Sequence, residues 1–129
     1  MELAMMSRSK IICFAATKNV KLAKRFYQKI LGLRLVEDGA YALVFNANGT
    51  MLRIQKVQHH TPARHTSLGW QVKNIRSEIK TLSKKGVRFE QYEGMLQDVL
   101  VLWTTPEGAQ IAWFLDPDGN TLSLTQWPD

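Results

Sequence analysis

Cysteine is almost absent: the 129 residues hold only Cys13. That excludes an intrachain disulfide framework and a cysteine-built zinc cage. Long apolar runs are missing too, and none approaches the ~20 residues of a membrane-spanning helix. The first ten residues include Leu3, Ala4, Met5 and Met6 but no extended apolar core, so no secretory signal is expected there. No Gly-x-Ser-x-Gly elbow, P-loop or dinucleotide fingerprint occurs. Acidic residues are scarce beside basic ones, 11 against 17, for a net charge of +6. What remains is 45% hydrophobic and 22% charged, too apolar for a disordered chain. The expectation is one cytoplasmic globular domain spanning residues 1–129, long enough to bury roughly two thirds of its unfolded surface.

The basic excess concentrates in two stretches. Lys18, Lys21, Lys24, Arg25 and Lys29 form one; Lys73, Arg76, Lys80, Lys84, Lys85 and Arg88 form the other. Both interleave with apolar residues at helical spacing, the pattern of solvated helix faces. No nucleic-acid reading motif accompanies them, so neither nucleic acid nor membrane is expected as a partner.

Apolar and β-branched content marks a strand at residues 11–16. Val20, Ala23, Phe26, Tyr27, Ile30 and Leu31 then recur as one helix face, preceded by Asn19 as a cap and stopped by Gly32. Residues 33–37, 41–45 and 51–57 read as strands, the last two joined across Asn48-Gly49 as a hairpin. The order then recurs: strand 66–72, cap Asn74, helix positions Ile75, Ile79 and Leu82, and a stop at Gly86. Extended 87–92 and strands 99–103, 110–115 and 121–126 follow. Pro106-Glu107-Gly108 and Asp116-Pro117-Asp118-Gly119-Asn120 separate the last three as turns.

Lys18-Asn19-Val20 matches Lys73-Asn74-Ile75, and Leu31-Gly32-Leu33 matches Lys85-Gly86-Val87 with a one-residue slip. A duplicated βαβββ unit accounts for both. Module one would cover about residues 10–57, a linker 58–64 and module two 65–126.

Two stretches carry a family resemblance. One is Phe26-Tyr27 followed by Leu31-Gly32-Leu33. The other runs from Trp113-Phe114-Leu115 through the aspartate turn to Thr121-Leu122-Ser123-Leu124. On these the chain resembles the vicinal oxygen chelate superfamily of glyoxalases, bleomycin-resistance proteins, fosfomycin-resistance enzymes and extradiol dioxygenases. The resemblance implies an α+β fold of two βαβββ modules, a half-open curled mixed sheet around a cavity with helices outside, and a homodimer. It also implies a divalent ion held by His and Glu from four strands. Counting from the motifs puts those four positions at Ile12, Arg53, Ser67 and Ser123. An alkyl group, a guanidinium and two hydroxyls are unsuited to that ion. No metal and no cofactor are therefore expected, and Lewis-acid chemistry is disfavoured.

Strand alternation from those positions turns Ile12 and Phe14, Met51 and Gln55, Gly69 and Gln71, and Thr121 and Thr125 toward the cavity. Cys13, Leu52, Ile54, Leu68, Trp70, Val72, Leu122 and Leu124 go to the core. The expected ligand site is Arg53, Gln55, Ser67, Gln71 and Ser123, with Phe14, Trp103 and Trp113 as apolar walls. Arg53 would favour a small anionic or carbonyl-bearing organic ligand. The plainer alternative is a wet sheet face, with Arg53 paired to an acid across a subunit contact.

His59, His60 and His65 fall in or beside the linker without acidic neighbours, so they read as solvated rather than metal-binding. The aspartate turn lacks the other acids of a calcium loop. Cys13 has no cation nearby in sequence to activate it, and Trp127 would serve a subunit interface. The main reading is a metal-independent small-molecule binder. The alternative is a glyoxalase-like lyase or isomerase acting on a carbonyl compound, with Glu90, Glu93 or His65 as acid or base.

Overall fold

The computed structural model describes residues 5–129. The signal-peptide reading falls partly on residues 1–4, outside the described residues. The chain divides into two compact units, residues 1–60 and 61–129.

In the first unit, strand β1 (Ile12–Thr17) leads to helix α1 (Val20–Arg25), which passes into a π-helical turn over Phe26–Ile30. Asn19 caps α1 as its spacing predicts, its Oδ1 accepting the Leu22 N–H at 3.2 Å. The sequence gives no warning of the π turn. There the Leu31 N–H reaches back five residues to the Phe26 carbonyl at 2.9 Å. The widened turn lets two adjacent rings, Phe26 and Tyr27, both be buried, in edge-on contact at 5.2 Å. Gly32 ends the turn at φ 77°, in the left-handed region that glycine enters without steric cost. Strands β2 (Arg34–Asp38), β3 (Ala42–Ala47) and β4 (Thr50–Lys56) follow. Asn48 and Gly49 both take positive φ, 51° and 96°, as the hairpin between β3 and β4 requires. The sheet order is β1-β4-β3-β2, with β1 parallel to β4 and the other pairs antiparallel.

The second unit repeats this topology with β5 (Thr66–Gln71), α2 (Ile75–Lys84), β6 (Trp103–Thr104), β7 (Gln110–Leu115) and β8 (Thr121–Gln126), ordered β5-β8-β7-β6. Asn74 caps α2 through the Ser77 N–H at 3.1 Å. Its backbone angles, −134° and 91°, nearly equal the −133° and 89° of Asn19. The faint sequence repeat is thus a repeated capping geometry.

Two expected elements differ. Residues 87–92 make only one bridge to the sheet, Phe89 to Phe114. Residues 99–101 are not a strand, because the Asp98 carboxylate takes the Leu100 and Leu102 N–H groups at 2.9 and 3.1 Å. A short acid that captures nearby amides diverts the backbone from the ladder into a turn. Val101 consequently sits at φ 62°, and β6 shrinks to two residues.

Each unit packs its helix on one face of its own sheet. Leu43, Phe45, Leu52 and Ile54 are at most 2% exposed in the first, and the Tyr27 and Phe45 rings meet at 5.8 Å. Ile75, Ile79, Leu82, Ala112, Phe114, Leu122 and Leu124 form the second core. The fold is α+β, with two four-stranded mixed sheets.

Candidate ligand-binding site

Side chains in opposed strand positions share a face, so register fixes what each sheet presents away from its helix. In the first unit the rows on that face are Ile12–Met51–Asn46, Phe14–Arg53–Val44 and Ala16–Gln55–Ala42. Cys13–Leu52–Phe45 and Ala15–Ile54–Leu43 lie on the opposite, helix-covered face. Phe14 is 50% exposed, Gln55 exposed and Arg53 half-buried.

A groove of about 510 Å³ is lined mainly by apolar residues, among them Ile11, Ile12, Val36, Val44 and Met51, with Lys10, Asn46 and Thr50 as polar members. Arg53 does not line it but neighbours these residues in the sheet. Val44 stands directly opposite Arg53. Ile12 and Met51 lie one row along, about 7 Å away at the strand rise. Among the described residues Arg53 forms no ion pair, so its guanidinium is available to a ligand. Of the residues that strand alternation turns to this face, Ile12 and Met51 line the groove and Phe14, Arg53 and Gln55 do not. Lys10, which also lines it, was missed because it precedes the strand and so has no parity to count from.

In the second unit the corresponding rows are Gly69–Ser123–Trp113 and Gln71–Thr125–Ile111–Trp103. At Gly69 there is no room for a side chain: a Cβ there would stand 2.7 Å from the Ser123 Oγ. Ser123 is only 6% exposed, which reduces its access to a ligand. Ser67 departs from its expected parity because a bulge intervenes between Thr66 and Leu68. Thr66 faces the tryptophans in its place, its Oγ1 accepting the Trp113 Nε1–H at 3.0 Å. Gln71 is engaged as well, accepting the Trp127 Nε1–H at 3.0 Å. Trp127 is therefore tied to its own unit, although 57% exposed.

Trp113 and Trp103 are half-buried, with centroids 6.1 Å apart and planes 30° apart. Tyr92 meets Trp113 nearly at right angles, 80° at 5.5 Å. Glu90 donates its N–H to the Trp113 carbonyl at 2.7 Å. Its neighbour Phe89 packs on the core against Phe114 at 5.3 Å, and the Glu90 carboxylate is near enough to act on the Tyr92 phenol. Burial, and after it the Glu90 charge, hold the Tyr92 phenol above its ordinary pKa of 10.0. The sequence carried the signal for Glu90 and Tyr92 in their common parity, opposite to the apolar Val87 and Phe89.

The donor chemistry at the four family positions does not fit a divalent ion. Ile12 and Arg53 lie on the first sheet's face, Ser123 on the second and Ser67 at the bulge. Among the described residues no group of three or more His, Cys, Asp or Glu side chains is placed to hold one. His59 and His65 are exposed and His60 is half-buried.

Two βαβββ units of matching topology, each presenting one polar-and-aromatic sheet face, define the class of protein. The chain belongs to the Glyoxalase/Bleomycin resistance protein/Dioxygenase superfamily, whose family model matches residues 12–124. No curated protein matches it in sequence. Among solved structures it is similar to a glyoxalase family protein from Bacillus anthracis, at 16% identity and TM-score 0.71 over 93% of this chain and 97% of that one. A lactoylglutathione lyase from Agrobacterium tumefaciens gives 15% and 0.68 over 92% and 94%. A fosfomycin resistance protein from Listeria monocytogenes gives 12% and 0.70 over 93% of each chain. At these identities the likeness is one of fold.

Proposed function

We propose that this chain is a metal-independent binding protein that holds a small amphipathic organic anion, its charged end on Arg53 and its apolar body in the adjoining groove. The observation that carries this reading is the half-buried Arg53, without an ion pair among the described residues, paired in the sheet with Val44, which lines a largely apolar groove of about 510 Å³. A guanidinium fork matches a carboxylate or phosphate bidentately. An apolar floor with few polar groups suits a small organic body.

Titration calorimetry with phenylacetate and its uncharged analogue phenylacetamide tests it. Phenylacetate should bind, and Arg53→Gln should weaken it about tenfold or more, the worth of a charge-assisted hydrogen bond. Equal affinity for the two probes, or an unchanged affinity in Arg53→Gln, would overturn the reading. The superfamily resemblance extends the proposal to a homodimer, which light scattering on the eluting protein tests.

Glu90 supports a second reading, a lyase or isomerase acting on a carbonyl compound. Its backbone is bonded to Trp113 and its carboxylate acts on the Tyr92 phenol beside that ring, which supports it as a general base for a substrate held there. Turnover of an α-ketoaldehyde–thiol adduct, abolished by Glu90→Gln, is the expected result on that reading.

A further inference from the structure

The second sheet carries a feature that the anion reading does not use. Trp113 is held from three sides: Thr66 fixes its indole N–H, Trp103 lies beside it, and Tyr92 abuts it at 80°. Two half-buried rings at nearly a right angle form a corner with π surface on both walls. Glu90, two residues before Tyr92, is tied to Trp113 by its backbone N–H, which donates to the Trp113 carbonyl at 2.7 Å, and its charge reaches the Tyr92 phenol.

Gln97 staples that segment in place. Its Oε1 accepts the Tyr92 N–H at 2.8 Å, and its Nε2 donates to the carbonyls of Glu90 at 3.1 Å and Val101 at 2.9 Å. The corner is therefore preorganised, which lowers the ordering cost of binding. Its polarity is the reverse of the Arg53 groove: electron-rich rings and a carboxylate, in a chain whose net charge is +6.

We propose that this corner binds an organic ammonium ion, the alkylated cationic group lying against Trp113 and Tyr92 with Glu90 as counter-charge. Aromatic faces attract a cation through their quadrupole, most strongly when it is poorly hydrated, as an alkylated ammonium is. The nearby carboxylate adds Coulombic attraction at half-exposed dielectric. An uncharged group of the same shape gains only the apolar contact. Charge, rather than shape, should therefore govern binding here.

The test is tryptophan fluorescence and calorimetric titration of the full chain with choline and with dimethylbutanol, its uncharged carbon isostere. Choline should bind saturably and at least about threefold tighter than the isostere. Glu90→Gln should weaken choline about threefold or more and leave the isostere unchanged. Trp113→Phe, which keeps a ring, should weaken it less than Trp113→Leu, with circular dichroism confirming the fold of each variant. The proposal is overturned if choline does not saturate, if the isostere binds equally well, or if Glu90→Gln binds choline as the parent does. Because Glu90 is partly exposed, its variant keeps the test decisive should Trp113→Leu fail to fold. The corner shares no residue with the Arg53 groove, so its failure would leave the phenylacetate result standing.

Discussion

Asp116 shows how one side chain can hold a whole turn. It is 5% exposed, and its Oδ1 accepts the Asp118 and Asn120 N–H groups, each at 2.9 Å, while Oδ2 takes the Asn120 side-chain amide at 2.7 Å. Gly119 completes the turn at φ 86°. Asp116→Ala strands these donors and should cost roughly 2–3 kcal/mol, read as a lower urea midpoint. Asp38 is the opposite case, an exposed clasp. Its carboxylate pairs with Lys56 at 2.6 Å and Lys24 at 3.4 Å. The Lys56 hydrogen bond, against some desolvation and with help from Lys24, holds its pKa below 3.8. A depressed carboxyl contributes stability above its ordinary value and loses it as pH falls through the folded one. The stability difference between the parent and Asp38→Asn should accordingly shrink below about pH 3.8, as followed by denaturation at stepped pH. At this scale the sequence was informative wherever period two held, as for Arg53, Gln55 and Ser123. It misled at Ser67, where one inserted residue shifts Thr66 onto the face and leaves no compositional trace.

Between elements, the contact of Gly69 on β5 with Ser123 on β8 constrains the second sheet. Gly69→Ala would bring a methyl group to 2.7 Å from the Ser123 Oγ, so one of the two must move. The substitution should destabilise by about 1–3 kcal/mol, and less in a Ser123→Ala background. A double-mutant cycle measures that coupling. The paired Asn caps, the glycine stops and the Asn48-Gly49 hairpin were all legible because each rests on local chemistry within four residues. The π turn and the loss of strand 99–101 were not. The first depends on two rings competing for one core, and the second on a single carboxylate out-competing a sheet ladder. Both are contests, and the sequence names the contestants without naming the winner.

Across the whole molecule, protection should follow the two sheets. β3 and β4, and β7 and β8, pair along six positions each. The segment from residue 87 to 101 has two isolated bridges, to Phe114 and to Trp103. Native-state hydrogen exchange should therefore be slowest in Ala42–Ala47 and Thr121–Gln126 and fast through that segment. The duplicated architecture was readable from motif order. Which sheet face would be electron-rich and which cationic was not, because Tyr92 and Glu90 reach Trp113 from a segment only lightly tied to the sheet.

Val101 deserves a last word as an opportunity. A β-branched residue in the left-handed region, at φ 62°, costs roughly 1–2 kcal/mol relative to glycine. The Gln97 and Asp98 bonds keep it there. Releasing that tension with Val101→Gly should raise the melting temperature by a few degrees, after glycine's own entropic cost of about 0.5–1 kcal/mol is deducted. An engineer seeking a hardier version of this protein could thus begin at a single surface-loop position, leaving both hydrophobic layers untouched.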